Sequence, residues 1–174
     1  MKNITLLSLF LLFLLKVSYA QDVDNKDLDL YLKAFRYVNA QPNVVVKGGL
    51  FVSDTIVYID NVNFFKEIGQ IERIDISENQ LITKIDSLDK LRDFKGFYST
   101  KIHKTFNNTF NGGYTLFFSK VFDKTLIIEI IPSIGCECKS YSDLTAYKET
   151  TQYLFRFDCS NEIKDVFIKV IAYD

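Results

Sequence analysis

Cys136-Glu137-Cys138 sets two thiols one residue apart. Thiolates are soft metal ligands and the nucleophiles of disulfide exchange, so this spacing suits a small, reducible local disulfide or a share in one soft ion. Cys159 opens two further readings, a structural bridge to one of that pair or unpaired thiols. No third ligand stands at a metal-site spacing, so no metal and no cofactor is expected. His103, the sole histidine, is of the residue type for a general base near neutral pH. No serine or cysteine motif supports it, and a strand histidine is the plainer reading. Glu129 and Arg156 lie in alternating apolar segments, where they could be an acid and its tuner or a cross-strand ion pair. Lys90, Arg92, Lys95, Lys101 and Lys104 interleave with Phe94, Phe97, Tyr98 and Phe106. That mixture suits a single strand of nucleic acid or an anionic glycan, but a solvated helix followed by a half-buried strand explains it as well. Asn107-Asn108-Thr109 is a glycosylation sequon. The motifs G-x-S-x-G, H-E-x-x-H, G-x-x-x-x-G-K and G-x-G-x-x-G are all missing.

The elements that must position these residues begin after a leader. Lys2 precedes an apolar run, Ile4 to Leu15, broken only by Thr5 and Ser8, and Val17-Ser18-Tyr19-Ala20 puts small residues before Gln21. This is the layout of a secretory signal peptide cleaved after Ala20. The run falls short of the roughly 20 apolar residues that span a bilayer. Residues 1–20 are therefore expected to be a signal peptide and 21–174 a single domain, secreted or periplasmic, with no integral membrane segment after cleavage. The chain of 174 residues is 48% hydrophobic, enough for one core. Its net charge of −1 becomes −3 once Lys2 and Lys16 leave with the leader, which argues against a globally basic nucleic-acid binder.

Asp24 or Asn25 can cap a helix over 26–39, with Leu28, Tyr31, Leu32, Phe35 and Val38 on one stripe and Asp29, Lys33 and Arg36 outside it. Short β-branched runs follow at 44–46, 50–52 and 55–59, then a helical turn near 62–68. Residues 71–84 read as two short strands around Ser77-Glu78-Asn79, and Ser87 as the cap of a short helix ended by Gly96. Five strand-like runs close the chain: 101–106, 114–120, 125–131, 150–157 and 163–172. Their short polar breaks suit hairpins. The expected fold class is α+β, an N-terminal amphipathic helix packed on an antiparallel, mostly meander sheet. One sheet face is apolar. The other mixes Ser119, Glu129, Arg156, Asp165 and Lys169 with Phe117, Ile127 and Leu154, and is expected to be half wet or to line a shallow cavity. A meander also sets Cys136 and Cys138 about 20–26 Å from Cys159, at the opposite sheet end. A disulfide needs Cα atoms within about 7 Å.

The stretch Phe118-Ser119-Lys120-Val121-Phe122-Asp123-Lys124, the apolar strand after it, Cys136-Glu137-Cys138, Tyr153-Leu154-Phe155 and Glu162-Ile163-Lys164-Asp165-Val166 together resemble the C-terminal half of small secreted bacterial proteins of uncharacterised function. The resemblance covers about a third of the chain, residues 114–170. There the loop cysteines are more widely spaced and glycine-rich, and the last strand often opens with Trp. The resemblance implies a secreted α+β domain and no particular reaction.

These readings favour a secreted or periplasmic binding or interaction domain over a small hydrolase or isomerase with a pocket on the sheet face, and over an immunity or inhibitor protein. Its partner would be a protein or a small ligand and not nucleic acid. A ligand is expected on the mixed face or at the sheet end holding 107–113 and 133–148, so Glu129, Arg156, Asn111 and Tyr141 are the candidate binding residues. Cys136 and Cys138 are the candidate redox or disulfide pair.

Overall fold

Helix and strand follow from local chemistry that the computed structural model makes explicit for residues 22–42, 50–92, 94–106, 113–133, 140–146 and 148–173. Helix α1 (Asn25–Asn39) starts where the Asp24 carboxylate accepts the Lys26 amide at 3.0 Å. Its buried line is Leu30, Tyr31, Ala34 and Val38, with Leu28, Leu32 and Phe35 half-buried beside it. The stripe read from the sequence shares Tyr31 and Val38 with this line, while Leu30 and Ala34 are buried outside that stripe.

Strand β1 (Leu50–Ile56) is one strand through Ser53-Asp54, where the sequence suggested a break. A 3₁₀ turn (Asn61–Phe64) leads into α2 (Phe65–Glu72). Arg73, at φ 53°, ends α2 in the left-handed conformation, and Ile74 N–H returns to Gly69 O at 3.0 Å. Helix α3 (Glu78–Arg92) then occupies the stretch expected to be two strands. Ser77 opens it, with the Gln80 side chain accepting the Ser77 amide at 3.2 Å and its hydroxyl at 2.9 Å, part of a capping box. Leu81, Ile85 and Asp89, four apart, form its buried stripe. Ser87 lies inside this helix and caps nothing; its hydroxyl donates to Thr83 O. Gly69 is the contact point of α2 and α3: a Cβ there would lie 2.4 Å from Leu81 Cδ2.

After the two-residue β2 (Phe97–Tyr98), residues expected as a strand form α4 (Thr100–Thr105). The Ser99 hydroxyl caps it by accepting the Ile102 amide at 3.2 Å, and Ile102 and Phe106, four apart, are buried together. Strands β3 (Tyr114–Phe118), β4 (Thr125–Pro132), β5 (Glu149–Phe157) and β6 (Ile163–Ala172) follow, with α5 (Tyr141–Thr145) between β4 and β5. Asp123 and Lys124 both take positive φ between the bridged Phe122 and Thr125, as a tight two-residue hairpin requires.

The six strands form one mixed sheet in the order β2-β1-β3-β4-β5-β6. Strand β1 runs parallel to β3, and every other neighbouring pair is antiparallel. The fold is therefore α+β with a mostly antiparallel sheet. One face carries Leu116, Phe118, Leu126, Ile128, Tyr153 and Phe155 under α1 and α4. The other carries Phe117, Ile127, Ile131 and Leu154 under Phe64, Ile68, Tyr141 and Leu144 of the 3₁₀ turn, α2 and α5. The face expected to be half wet or to line a shallow cavity is thus covered by helices at Glu129 and Gln152, while Arg156 and Asp165 stay about one-third exposed and Arg156 lines a cavity. No helix among the described residues is long and apolar enough to cross a membrane.

Candidate functional site

Alternation along β4 and β5 places Glu129, Gln152 and Arg156 on the second face. Strand register then separates them. Glu129 lies opposite Phe117 on one side and Gln152 on the other, and Gln152 lies opposite Lys169. Arg156 lies opposite Thr125 and Asp165, four residues along the strand from that row, a spacing of about 13 Å. Glu129 and Arg156 therefore form neither an ion pair nor an acid with its tuner. The partner of Arg156 is Asp165, at 3.4 Å across β5 and β6.

Glu129 is fully buried. Its Oε2 accepts the Tyr141 hydroxyl at 2.5 Å, and its Oε1 accepts the Thr150 hydroxyl at 2.5 Å and the Tyr173 hydroxyl at 2.8 Å. Gln152 Nε2 donates to Tyr173 Oη at 3.1 Å, and Asn63 Nδ2 donates to Gln152 Oε1 at 3.1 Å. Lys169 closes the row by donating to Asn63 O and Glu67 Oε2, each at 2.7 Å. A buried carboxylate is costly unless hydrogen bonds replace its water, and here three hydroxyls do so. Burial, and then the negative charge of Glu129, push the Tyr141 and Tyr173 phenols well above the ordinary tyrosine range. They stay protonated and act as donors. With both oxygens engaged, the cluster ties α5 and the segment after β6 to the middle of the sheet. Of the expected site residues, the structure brings Tyr141 and Glu129 together. Thr150, Gln152 and Tyr173 are not among the residues the sequence singles out, and their polar surroundings, Glu149 to Gln152 and the chain after Ala172, carry no signal for a buried cluster.

Arg156 lines a cavity of about 250 Å³ between α2, α3 and the end of strands β4 and β5. Ile68, Ile71, Ile85 and Leu88 supply apolar wall, and Asn61, Glu72, Asp89, Asp123 and Thr125 supply polar groups. Asp89 is 3% exposed and already engaged. Its carboxylate accepts the Asn61 amide at 2.8 Å, Asn61 Nδ2 at 2.6 Å and the Val62 amide at 3.2 Å, which caps the 3₁₀ turn from a distance. Burial raises the Asp89 carboxyl above the usual range, against the pull of the Asn61 bonds. Arg156 is freer, since its ion pair is long and both partners are about one-third exposed. A second groove of about 500 Å³ beside Gly69 and Arg73 opens broadly to solvent, and the cavity at Arg156 is smaller and more enclosed.

His103 sits on α4, half exposed, with Nδ1 3.2 Å from Asp54 Oδ2 and its ring against Tyr98. The basic and aromatic residues of 90–106 are dispersed. Lys90 pairs with Asp86, Lys101 donates to Val23 O, and Phe94 packs on Tyr58 and Phe97. Cys159 is a free, exposed thiol in the β5–β6 turn. Asn111, the 107–109 sequon, Cys136 and Cys138 lie outside the described residues, as does the leader. At the neighbouring sheet end the Ser133 hydroxyl is buried with no hydrogen-bond partner among the described residues. No group of three or more metal-ligating side chains occurs among those residues.

No protein-family model matches the chain, and no curated protein or solved structure is significantly similar to it.

Proposed function

We propose that this is an exported binding domain that holds a small ligand with an apolar body and a polar end, the apolar part between α2 and α3 and the polar end on Arg156. The observation that carries this reading is the cavity of about 250 Å³ in which four aliphatic side chains meet a loosely held arginine, with the carboxylates of Glu72, Asp89 and Asp123 elsewhere on the wall. An arginine fork can exchange a long ion pair for two parallel bonds to a ligand carboxylate. The volume lies just below the usual range for ligand pockets, roughly 300–1,000 Å³, so the ligand is small. Export rests on the leader, and mass spectrometry of the exported chain should find Gln21 at its terminus. The family resemblance over 114–170 agrees with an extracytoplasmic α+β domain.

The test of binding is a panel of small aliphatic and aromatic acids followed by amide chemical shifts. Acids that bind should move Ile68, Leu88 and Arg156 together. Leu88→Trp, which fills the cavity, should abolish the response, and Arg156→Gln should weaken it for acids but not for the matching amides. A well-folded protein whose shifts no acid or amide moves near these residues would overturn the reading.

A further inference from the structure

Strand β6 ends the sheet, and no strand among the described residues pairs with its outer side. It is long, ten residues, and Ile168 and Val170 are 51% and 67% exposed on it. Long exposed apolar edges are uncommon in proteins that stay alone in solution. The backbone direction is fixed by the ladder. Tyr173 N–H donates to Lys148 O, and the register runs unbroken from Glu149↔Ala172 to Arg156↔Asp165. Antiparallel alternation therefore turns the amides and carbonyls of Asp165, Phe167, Lys169 and Ile171 towards β5. Those of Lys164, Val166, Ile168, Val170 and Ala172 face outward.

We propose that two copies of this chain pair β6 against β6 in antiparallel fashion about a two-fold axis at Phe167. Only outward-facing residues can form the hydrogen-bonded pairs, which restricts the register to even offsets. Of these, the one centred on Phe167 sets Asp165 opposite Lys169 of the second copy, twice by symmetry. It also sets Val166 opposite Ile168, and Lys164 opposite Val170, whose apolar surface the lysine stem can cover. The two Phe167 rings, half-buried at the rim of the second core, meet at the axis. Asp165 already faces Arg156 and Lys169 already holds Asn63 O and Glu67, so each would share its charge across the seam; a register two residues away loses both Asp165–Lys169 approaches, and the charges favour this alignment. The interface is isologous and joins the two sheets into one continuous sheet.

Analytical ultracentrifugation from micromolar to millimolar protein, with reductant present so that Cys159 cannot link chains, tests this. The wild-type protein should pass from monomer to dimer across that range and no further. Ile168→Pro removes an amide that faces outward, so it should abolish the dimer while leaving the β5–β6 ladder and the near-ultraviolet spectrum unchanged. Val170→Lys, folded by the same measure, should also be monomeric. A wild-type protein that is monomeric throughout would overturn the proposal and leave the edge to a strand of another protein. So would a dimer that neither folded variant disturbs. Ligand binding in the cavity is a separate readout, so failure of either proposal is distinguishable from failure of the other.

Discussion

Replacing Glu129 by alanine would leave the Tyr141, Thr150 and Tyr173 hydroxyls buried without their acceptor, an expected loss of about 2–5 kcal/mol in chemical denaturation. Tyr173→Phe removes one donor and should cost about 1–3 kcal/mol, most of it the desolvated oxygen left behind. Ligand binding at Arg156 should be unchanged in both folded variants, since the register holds the two sites apart. The phenols give a pH signature. Burial raises Tyr31, Tyr141 and Tyr173 above the value they take in the unfolded chain. The folded state then keeps protons that the unfolded state releases, so stability from these groups is complete below about pH 10 and falls as pH rises further. A spectrophotometric titration should show these three tyrosines ionising only as the protein unfolds. An alkaline titration in which all ionise reversibly in the folded state would contradict that assignment. In the sequence, Glu129 was visible as a polar residue in an apolar strand. Its donors arrive from α5, β5 and the residue after β6, so only tertiary structure brings them together.

The elements differ in how openly the chain announces them. Helix α1 carries a cap and a period, and β3 to β6 carry alternation and turn residues. Helices α3 and α4 were obscured by the same kind of signal. Ser77 and Gln80 spell a capping box, and Ile102 and Phe106 a helical pair, but the β-branched residues of 71–84 and the alternating polarity of 101–106 imitate strands. Ser77→Ala should cost about 1 kcal/mol of stability by loss of the cap. Core depth should also be measurable. Ile128 is fully buried, so Ile128→Ala should cost about 2–5 kcal/mol. Phe35 lies at the flank of α1, edge-on to Phe106 with ring centres 5.0 Å apart, and Phe35→Ala should cost less. Equal losses by denaturant titration would put Phe35 on the helix's central line.

For the whole molecule, helices lie over both faces of the sheet, and among the described residues no strand pairs with the outer side of β6. Cys159 lies in the turn beyond β5, while Pro132 and Glu149, which flank the segment holding Cys136 and Cys138, lie at the other sheet end. Non-reducing peptide maps of the oxidised monomer should therefore show no link to Cys159, and a dominant link would mean that the two sheet ends converge. The Glu129 cluster also carries a consequence for assembly. Aliphatic residues are interchangeable partners, and a strand rich in Ile and Val can slide along its neighbour at modest cost. A buried carboxylate has no such tolerance. If β6 slipped on β5 by one residue, Tyr173 would swing to the opposite face, and Glu129 and Gln152 would each lose a hydrogen-bond partner in a place water does not reach. The cluster thus makes a misaligned last strand costlier than the surrounding aliphatic contacts alone would.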